Sequence, residues 1–134
     1  MLKKLFPLLF ILIYLQPIHS QEKDSLYFCK DYKDGKEVEV AKTFTLPKTG
    51  GELTVMVRLE KPIHTDKVDV ELYKLTNDGE VFIESKPWDV EKDWDYIYFS
   101  YLTFKSEGKF RVAVLRKNGL EVVSGFVKII FEKE

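Results

Sequence analysis

Four acidic residues alternate with other residues in the segment KPWDVEKDWD, at positions 86–95. They are Asp89, Glu91, Asp93 and Asp95. Calcium binds six or more oxygen atoms, and an acidic loop at one end of a β-sandwich can supply carboxylates together with backbone carbonyls. The spacing differs from that of the helix–loop–helix calcium motif. We therefore regard these four residues as a candidate calcium loop, with simple solvation of the acids as the alternative.

Two tryptophans, Trp88 and Trp94, flank this acidic loop. An exposed aromatic ring suits the apolar side of a carbohydrate, so both rings are candidates for stacking on a sugar. The alternative is that both rings plug the end of a folded core.

Aromatic residues are concentrated in WDVEKDWDYIYFSYLTF, residues 88–104, which holds seven of them. Strict alternation along this strand predicts one inward and one outward set of side chains. The inward set is Tyr98, Leu102 and Phe104, and the outward, partly exposed set is Ile97, Phe99 and Tyr101. An exposed apolar cluster is a candidate contact site, unless the loop 86–95 folds over it. The candidate binding residues are therefore Trp88, Trp94, Ile97, Phe99 and Tyr101.

Residues that carry catalysis are scarce. After residue 20 the chain has one histidine, His64, and one cysteine, Cys29, which together cannot close a zinc site. The serines lack the glycine-flanked context of a nucleophile elbow. A two-carboxylate hydrolase stays open as an alternative, because acids are plentiful. We predict that the protein is not an enzyme and that it needs no cofactor, apart from the calcium considered above.

Apolar and polar residues alternate through most of the chain after residue 20, and helical periodicity is absent. In LTVMVRL, for example, Leu53, Val55 and Val57 fall on one side and Thr54 and Arg58 on the other, which is typical of a half-buried strand. Cys29 lies among apolar neighbours in LYFCK, which favours a small buried side chain over a reactive thiol.

Tight turns separate the predicted strands. Asn-Gly or Asp-Gly pairs occur at 33–36, 76–80 and 117–120, where glycine can adopt the positive φ that hairpins need. Seven or eight strands with such turns and no crossover helix predict one antiparallel β-sandwich.

The segment FKSEGKFRVAVLRKNGLEVVSGFVKI, residues 104–129, resembles the last two strands of bacterial immunoglobulin-like domains. The resemblance implies an immunoglobulin-like fold and leaves the activity open. A tyrosine is usual where Phe110 stands, and the paired cysteines of antibody domains are absent. Neither a tyrosine-corner hydrogen bond nor a ligand site is therefore carried over.

The first twenty residues have the pattern of a secretory signal peptide. Lys3 and Lys4 precede an apolar run of about eleven residues, which is too short to span a bilayer, and cleavage is predicted after Ser20. The predicted organisation is a signal peptide, 1–20, and a single domain, 21–134, without a transmembrane segment. We expect the protein to be exported to the periplasm or secreted.

Cleavage at that point removes two lysines and no acid, leaving 19 basic and 22 acidic residues and a net charge of −3. This balance argues against a nucleic-acid partner. The predicted function is an exported binding module that contacts a protein or glycan through the aromatic sheet face or the loop end. One alternative is an assembly subunit that pairs through an exposed strand edge. Another is a calcium-dependent carbohydrate-binding module.

Overall fold

The computed structural model describes residues 24–133, so the predicted signal peptide, 1–20, lies outside the described residues. Within this range the protein is all-β and contains no helix. The strands are β1 (Ser25–Lys33), β2 (Lys36–Ala41), β3 (Thr43–Leu46), β4 (Gly51–Arg58), β5 (Lys67–Thr76), β6 (Gly79–Asp89), β7 (Tyr96–Phe104), β8 (Gly108–Arg116) and β9 (Glu121–Phe131).

The strands form two packed sheets. The four-stranded sheet has the order β2-β1-β4-β7, and the five-stranded sheet has the order β3-β9-β8-β5-β6. Among the described residues the neighbouring strands are antiparallel, except that β3 runs parallel to β9. Two expectations were therefore wrong: the described chain has nine strands, and one pair is parallel. Both differences arise at Lys42, where the chain passes from β2, at the edge of one sheet, to β3, at the edge of the other.

The three predicted hairpin turns are confirmed. They join β1 to β2, β5 to β6 and β8 to β9, and each contains a glycine with positive φ. Because these turns fix the register of the strands that they join, they also decide which side chains face the core.

The main core lies between the two sheets. Its largest fully buried side chains include Phe28, Phe99, Phe104 and Phe110, and the rings of Phe104 and Phe110 meet edge to face at 5.2 Å. The sheets approach so closely at β9 that a Cβ on Gly125 would overlap the carbonyl oxygen of Leu26. Burial of these apolar surfaces is the main stabilising term of the fold.

A smaller buried cluster lies on the outer side of the four-stranded sheet. Cys29 and Met56 are fully buried although they lie outside the main core cluster, which confirms the prediction of a buried cysteine. Pairing between β1 and β4 ends at Cys29, and the distal part of the β1–β2 hairpin bends back over the outer face. The ring of Tyr32 consequently lies 4.5 Å from that of Tyr98, although β4 separates their strands. The hairpin therefore covers part of this face.

Candidate functional site

In the first half of β7, the side chains face the opposite side of the sheet from the one that we predicted. Ile97 and Phe99 were expected on an exposed face, but both are buried, and Phe99 is only 2% exposed. Tyr98 was expected to point inward, but it is 49% exposed. The inward direction of Leu102 and Phe104 is confirmed.

A β-bulge explains this reversal. Val55 of β4 pairs with Phe99 and Leu53 pairs with Leu102, so three steps along β7 match two steps along β4. The extra residue shifts the alternation by one position, which moves every side chain before it to the other face. Tyr101 lies at the bulge with φ 65° and is 66% exposed, so its predicted exposure is confirmed.

The end of β6, the loop 90–95 and the start of β7 enclose a cavity of about 290 Å³, which we call the tryptophan groove. The residues that line it are Trp88, Asp89, Trp94, Tyr96, Ile97 and Tyr98. The structure thus brings three predicted binding residues together and leaves two outside. Phe99 supports the groove from the core, with its ring 5.4 Å from that of Trp88. Tyr101 lies beyond the bulge.

The indole of Trp88 carries an unsatisfied polar atom. Its Nε1 is buried and has no hydrogen-bond acceptor among the described residues. A buried donor without a partner costs about 1–3 kcal/mol. Because this atom is sealed from solvent and Trp88 packs against the core, Trp88 contributes an apolar wall to the groove rather than a hydrogen-bond donor.

Backbone hydrogen bonds hold the loop 90–95 in place. Leu59 N donates to the carbonyl of Asp95 and Ile63 N to that of Trp94, each at 2.8 Å. Trp94 N donates to the carbonyl of Glu91 at 3.1 Å, and Val90 is buried beneath the loop. The backbone of Trp94 is therefore fixed while its indole stays exposed, which pre-organises one wall of the groove.

A carboxylate network fixes the opposite wall. Glu37, at the far end of the β1–β2 hairpin, accepts hydrogen bonds from the hydroxyls of Tyr27 and Tyr96, the latter at 2.7 Å. Arg58 donates from Nε to the hydroxyl of Tyr27 at 2.8 Å, and its guanidinium lies 4.4 Å from the ring centroid of Tyr96. We call these four residues the Glu37 network, and it holds the hairpin, with Tyr32, against Tyr98.

The network changes the acidity of its members. Desolvation by burial raises the pKa of Glu37, but the hydrogen bonds from Tyr27 and Tyr96 and the charge of Arg58 outweigh it, so this pKa lies below its ordinary value. Burial and the Glu37 carboxylate raise the pKa of Tyr96. At neutral pH Glu37 is therefore an ionised acceptor and Tyr96 a protonated donor.

The four predicted calcium ligands are not arranged as a metal site. Asp89 lines the groove, and Glu91, Asp93 and Asp95 are exposed. Between residues 24 and 133, no three His, Cys, Asp or Glu side chains form a group that could hold a metal ion. The carbonyl oxygens of Lys92, Trp94 and Asp95 already accept backbone hydrogen bonds. Calcium binding by this loop stays a prediction without a preformed site.

Sequence reasoning missed three aromatic residues of this region: Tyr32, Tyr96 and Tyr98. The sequence carries a signal for Tyr98, because the predicted outward residues Ile97, Phe99 and Tyr101 are apolar or aromatic, unlike the polar outward residues of a regular half-buried strand. Tyr32 reaches the site only because the hairpin bends back, and no local pattern marks that bend.

No protein-family model and no curated protein matches this chain. The fold defines the protein as all-β, with two packed sheets. In the part of the chain that the structure describes, no helix has the length and apolar character needed to cross a membrane.

Proposed function

We propose that this protein is an exported, non-catalytic module of immunoglobulin-like fold that binds a glycan through the tryptophan groove. The observation that carries the proposal is the groove itself, in which three aromatic residues of a sugar-stacking kind, Trp88, Trp94 and Tyr98, line one cavity together with Asp89. Trp94 and Tyr98 are exposed and offer flat apolar surfaces to the C–H face of a sugar ring. Asp89 lines the same groove and accepts a hydrogen bond from a sugar hydroxyl.

The strand neighbours support the immunoglobulin-like assignment. In that fold strands B and E are neighbours in one sheet, and strands C, F and G follow one another in the other. Here β4 adjoins β7, and β5, β8 and β9 lie side by side, with β6 in the place of strand C′. On this assignment β1, which is antiparallel to β4, takes the place of strand A, and β2 is an additional edge strand that carries Glu37.

The pattern of residues 1–20 supports export, and the carbohydrate proposal is compatible with a periplasmic or secreted location. The non-catalytic assignment rests on the scarcity of nucleophile and base pairs in the sequence. Binding in a shallow aromatic groove needs neither.

The test is a titration of neutral oligosaccharides into the purified protein, followed by tryptophan fluorescence and calorimetry. We expect one sugar class to quench the fluorescence and Trp94→Ala to weaken its binding at least tenfold, which corresponds to about 1.4 kcal/mol. Phe82→Ala is the matched control, because Phe82 is an exposed aromatic residue on β6 outside the groove. Equal binding by wild type and Trp94→Ala, or no binding of any sugar, contradicts the proposal.

A second candidate function is assembly through a strand edge, which the exposed apolar run on β6 favours. Val81, Phe82 and Ile83 are consecutive and exposed on the edge strand of the five-stranded sheet. Such an edge can pair with another strand through its free backbone groups. Sedimentation of the protein at several concentrations tests self-pairing. A purely monomeric protein at all concentrations contradicts it, and an assembly that Phe82→Lys dissociates supports it.

A further inference from the structure

Three lysines converge on the outer face of the five-stranded sheet, at the opposite end and opposite edge from the tryptophan groove. They are Lys42, just before β3, Lys109 on β8 and Lys128 on β9. Together with Thr43, Phe126 and Val127 they line a cavity of about 460 Å³, which we call the lysine cavity. Among residues 24–133, no carboxylate contributes to its lining.

The sheet register forces these positive charges together. Lys109 and Lys128 are direct cross-strand partners, and the backbone N–H of Lys128 donates to the carbonyl of Lys42 at 2.9 Å. Like charges directly opposite each other destabilise a sheet. In the described part of the chain none of the three lysines forms an ion pair.

Several other basic residues in the described part of the chain have acidic partners. The second pair of opposed lysines, Lys33 and Lys36, has Asp31 3.5 Å from the Nζ of Lys33. Arg111, the cross-strand partner of Phe126, is held by Glu80 at 2.7 Å and Glu121 at 3.0 Å. These two clusters of basic residues are thus paired with acids, whereas the three opposed or adjacent lysines of the lysine cavity are not, although acids outnumber bases in the chain.

An aromatic ring completes the cavity. Phe126 is exposed on the same face, and the Nζ of Lys109 lies 5.6 Å from its ring centroid. A large exposed ring beside three cations offers an apolar surface and an anion site within one cavity. The cavity volume far exceeds the roughly 30 Å³ that one water molecule occupies, so it is too large for a bare inorganic anion to fill.

We propose that the lysine cavity is a second binding site and that it takes an acidic saccharide. The sugar ring packs on Phe126, and its carboxylate or sulfate group lies among Lys42, Lys109 and Lys128. A saccharide fits better than an acidic peptide because the flat phenyl ring matches the C–H face of a pyranose, while one anionic substituent suffices for the lysines. This inference does not depend on the tryptophan groove, because the lysine cavity and the tryptophan groove have no lining residue in common.

The test measures binding by calorimetry with protein purified from cells that express the full chain. The probes are tetragalacturonate, a sulfated tetrasaccharide, a tetraglutamate peptide and the neutral sugar cellotetraose. We expect at least one acidic sugar to bind, and the two acidic probes distinguish a carboxylate ligand from a sulfate ligand. We expect the affinity to fall with added salt, because the Debye length shortens from about 10 Å at 0.1 M to about 3 Å at 1 M. Tighter or equal binding of tetraglutamate or of cellotetraose overturns the proposal.

Two variants assign the binding to this cavity. Lys128→Gln and Phe126→Ser should each weaken the acidic sugar roughly tenfold, as expected for the loss of one charge-assisted contact or one stacking surface. Lys128→Gln also relieves the repulsion from Lys109, so its melting temperature should equal or exceed that of the wild type. Lys105→Gln is the control, since it removes one exposed positive charge outside the cavity and should not change binding. Unchanged binding in both cavity variants overturns the proposal.

Trp94→Ala separates this proposal from the proposed function. Acidic sugars should bind Trp94→Ala as tightly as the wild type. If Trp94→Ala abolishes their binding and Lys128→Gln retains it, then the tryptophan groove takes the acidic sugar and the lysine cavity does not.

Discussion

Replacement of Glu37 by glutamine tests whether one carboxylate holds the β1–β2 hairpin on the four-stranded sheet. Glu37 accepts hydrogen bonds from two tyrosine hydroxyls, and its Oε2 lies 3.8 Å from Nη2 of Arg58. Glutamine keeps the length of the side chain but loses the negative charge. Its N–H₂ group replaces one carboxylate oxygen and cannot accept a hydrogen bond from the hydroxyl of Tyr27 or Tyr96. The change therefore weakens each contact of the Glu37 network without creating a large cavity.

The expected loss of stability follows from the number of contacts. A hydrogen bond to a charged group contributes about 1.5–3 kcal/mol and a neutral one about 0.5–1.5 kcal/mol. The difference is about 1 kcal/mol for each of the two tyrosines, and the partly exposed Arg58 adds little because solvent screens its charge. We expect Glu37→Gln to lower the free energy of unfolding by about 2 kcal/mol. For a domain of this size that corresponds to a fall in melting temperature of roughly 8–12 °C.

Urea denaturation and thermal melting measure this loss, and Glu39→Gln is the control. Glu39 lies on the same strand but is exposed, and its ion pair with Lys30 spans 3.9 Å. Surface pairs of this kind contribute about 0–1 kcal/mol. If Glu37→Gln is no more destabilising than Glu39→Gln, then the Glu37 network does not hold the hairpin and our reasoning is wrong.

The pH dependence gives an independent check. The folded pKa of Glu37 lies below its ordinary value of 4.5. A lowered pKa means that ionised Glu37 stabilises the fold fully above that ordinary value, and that this contribution is lost as pH falls through the folded pKa. The stability difference between wild type and Glu37→Gln should therefore be constant near neutral pH and should shrink as the pH falls below 4.5. A difference that grows on acidification has the wrong sign for this network.

Three further predictions concern the aromatic strand and the acidic loop. Phe99→Ala should lower the free energy of unfolding by about 3–5 kcal/mol, because Phe99 is a core residue. Phe82 is exposed, so Phe82→Ala should change that free energy little. Equal effects of the two variants in denaturant titrations contradict the inward position that the bulge gives to Phe99. Tyr101→Gly should maintain or raise the melting temperature, because glycine adopts a φ of 65° without the roughly 1 kcal/mol strain of tyrosine, and a clear loss of stability refutes this. Calcium should shift the melting temperature by less than about 1 °C relative to EDTA, because residues 24–133 contain no preformed group of calcium ligands. A larger shift supports the calcium-dependent alternative.

The main features of the sandwich could be predicted because they depend on local patterns. Alternating apolar residues and Asn-Gly or Asp-Gly turns identified the strands and the three hairpins. These signals act over a few residues, so a single sequence carries them in full.

The features that failed depend on contacts between distant segments. The bulge in β7 is fixed by its pairing with β4, and the break at Lys42 by the pairing of β2 and β3 with different sheets. The bend of the β1–β2 hairpin depends on contacts of Tyr32 and Glu37 with β7, more than fifty residues away. Each of these events changes which side chains are exposed, so the candidate site was predicted less well than the fold.

Two features of the surface weaken the fold without any evident structural gain. Tyr101 holds a left-handed φ although its exposed ring contributes little burial, and Lys109 faces Lys128 without an acid between them. Glycine in place of Tyr101, and a neutral residue in place of Lys109 or Lys128, would fit the same backbone with less strain and less charge repulsion. Local conflicts of this kind persist in native proteins mainly where binding or catalysis requires them. The opposed lysines of the lysine cavity are such a conflict, so the stability gained by Lys128→Gln should be matched by a loss of binding.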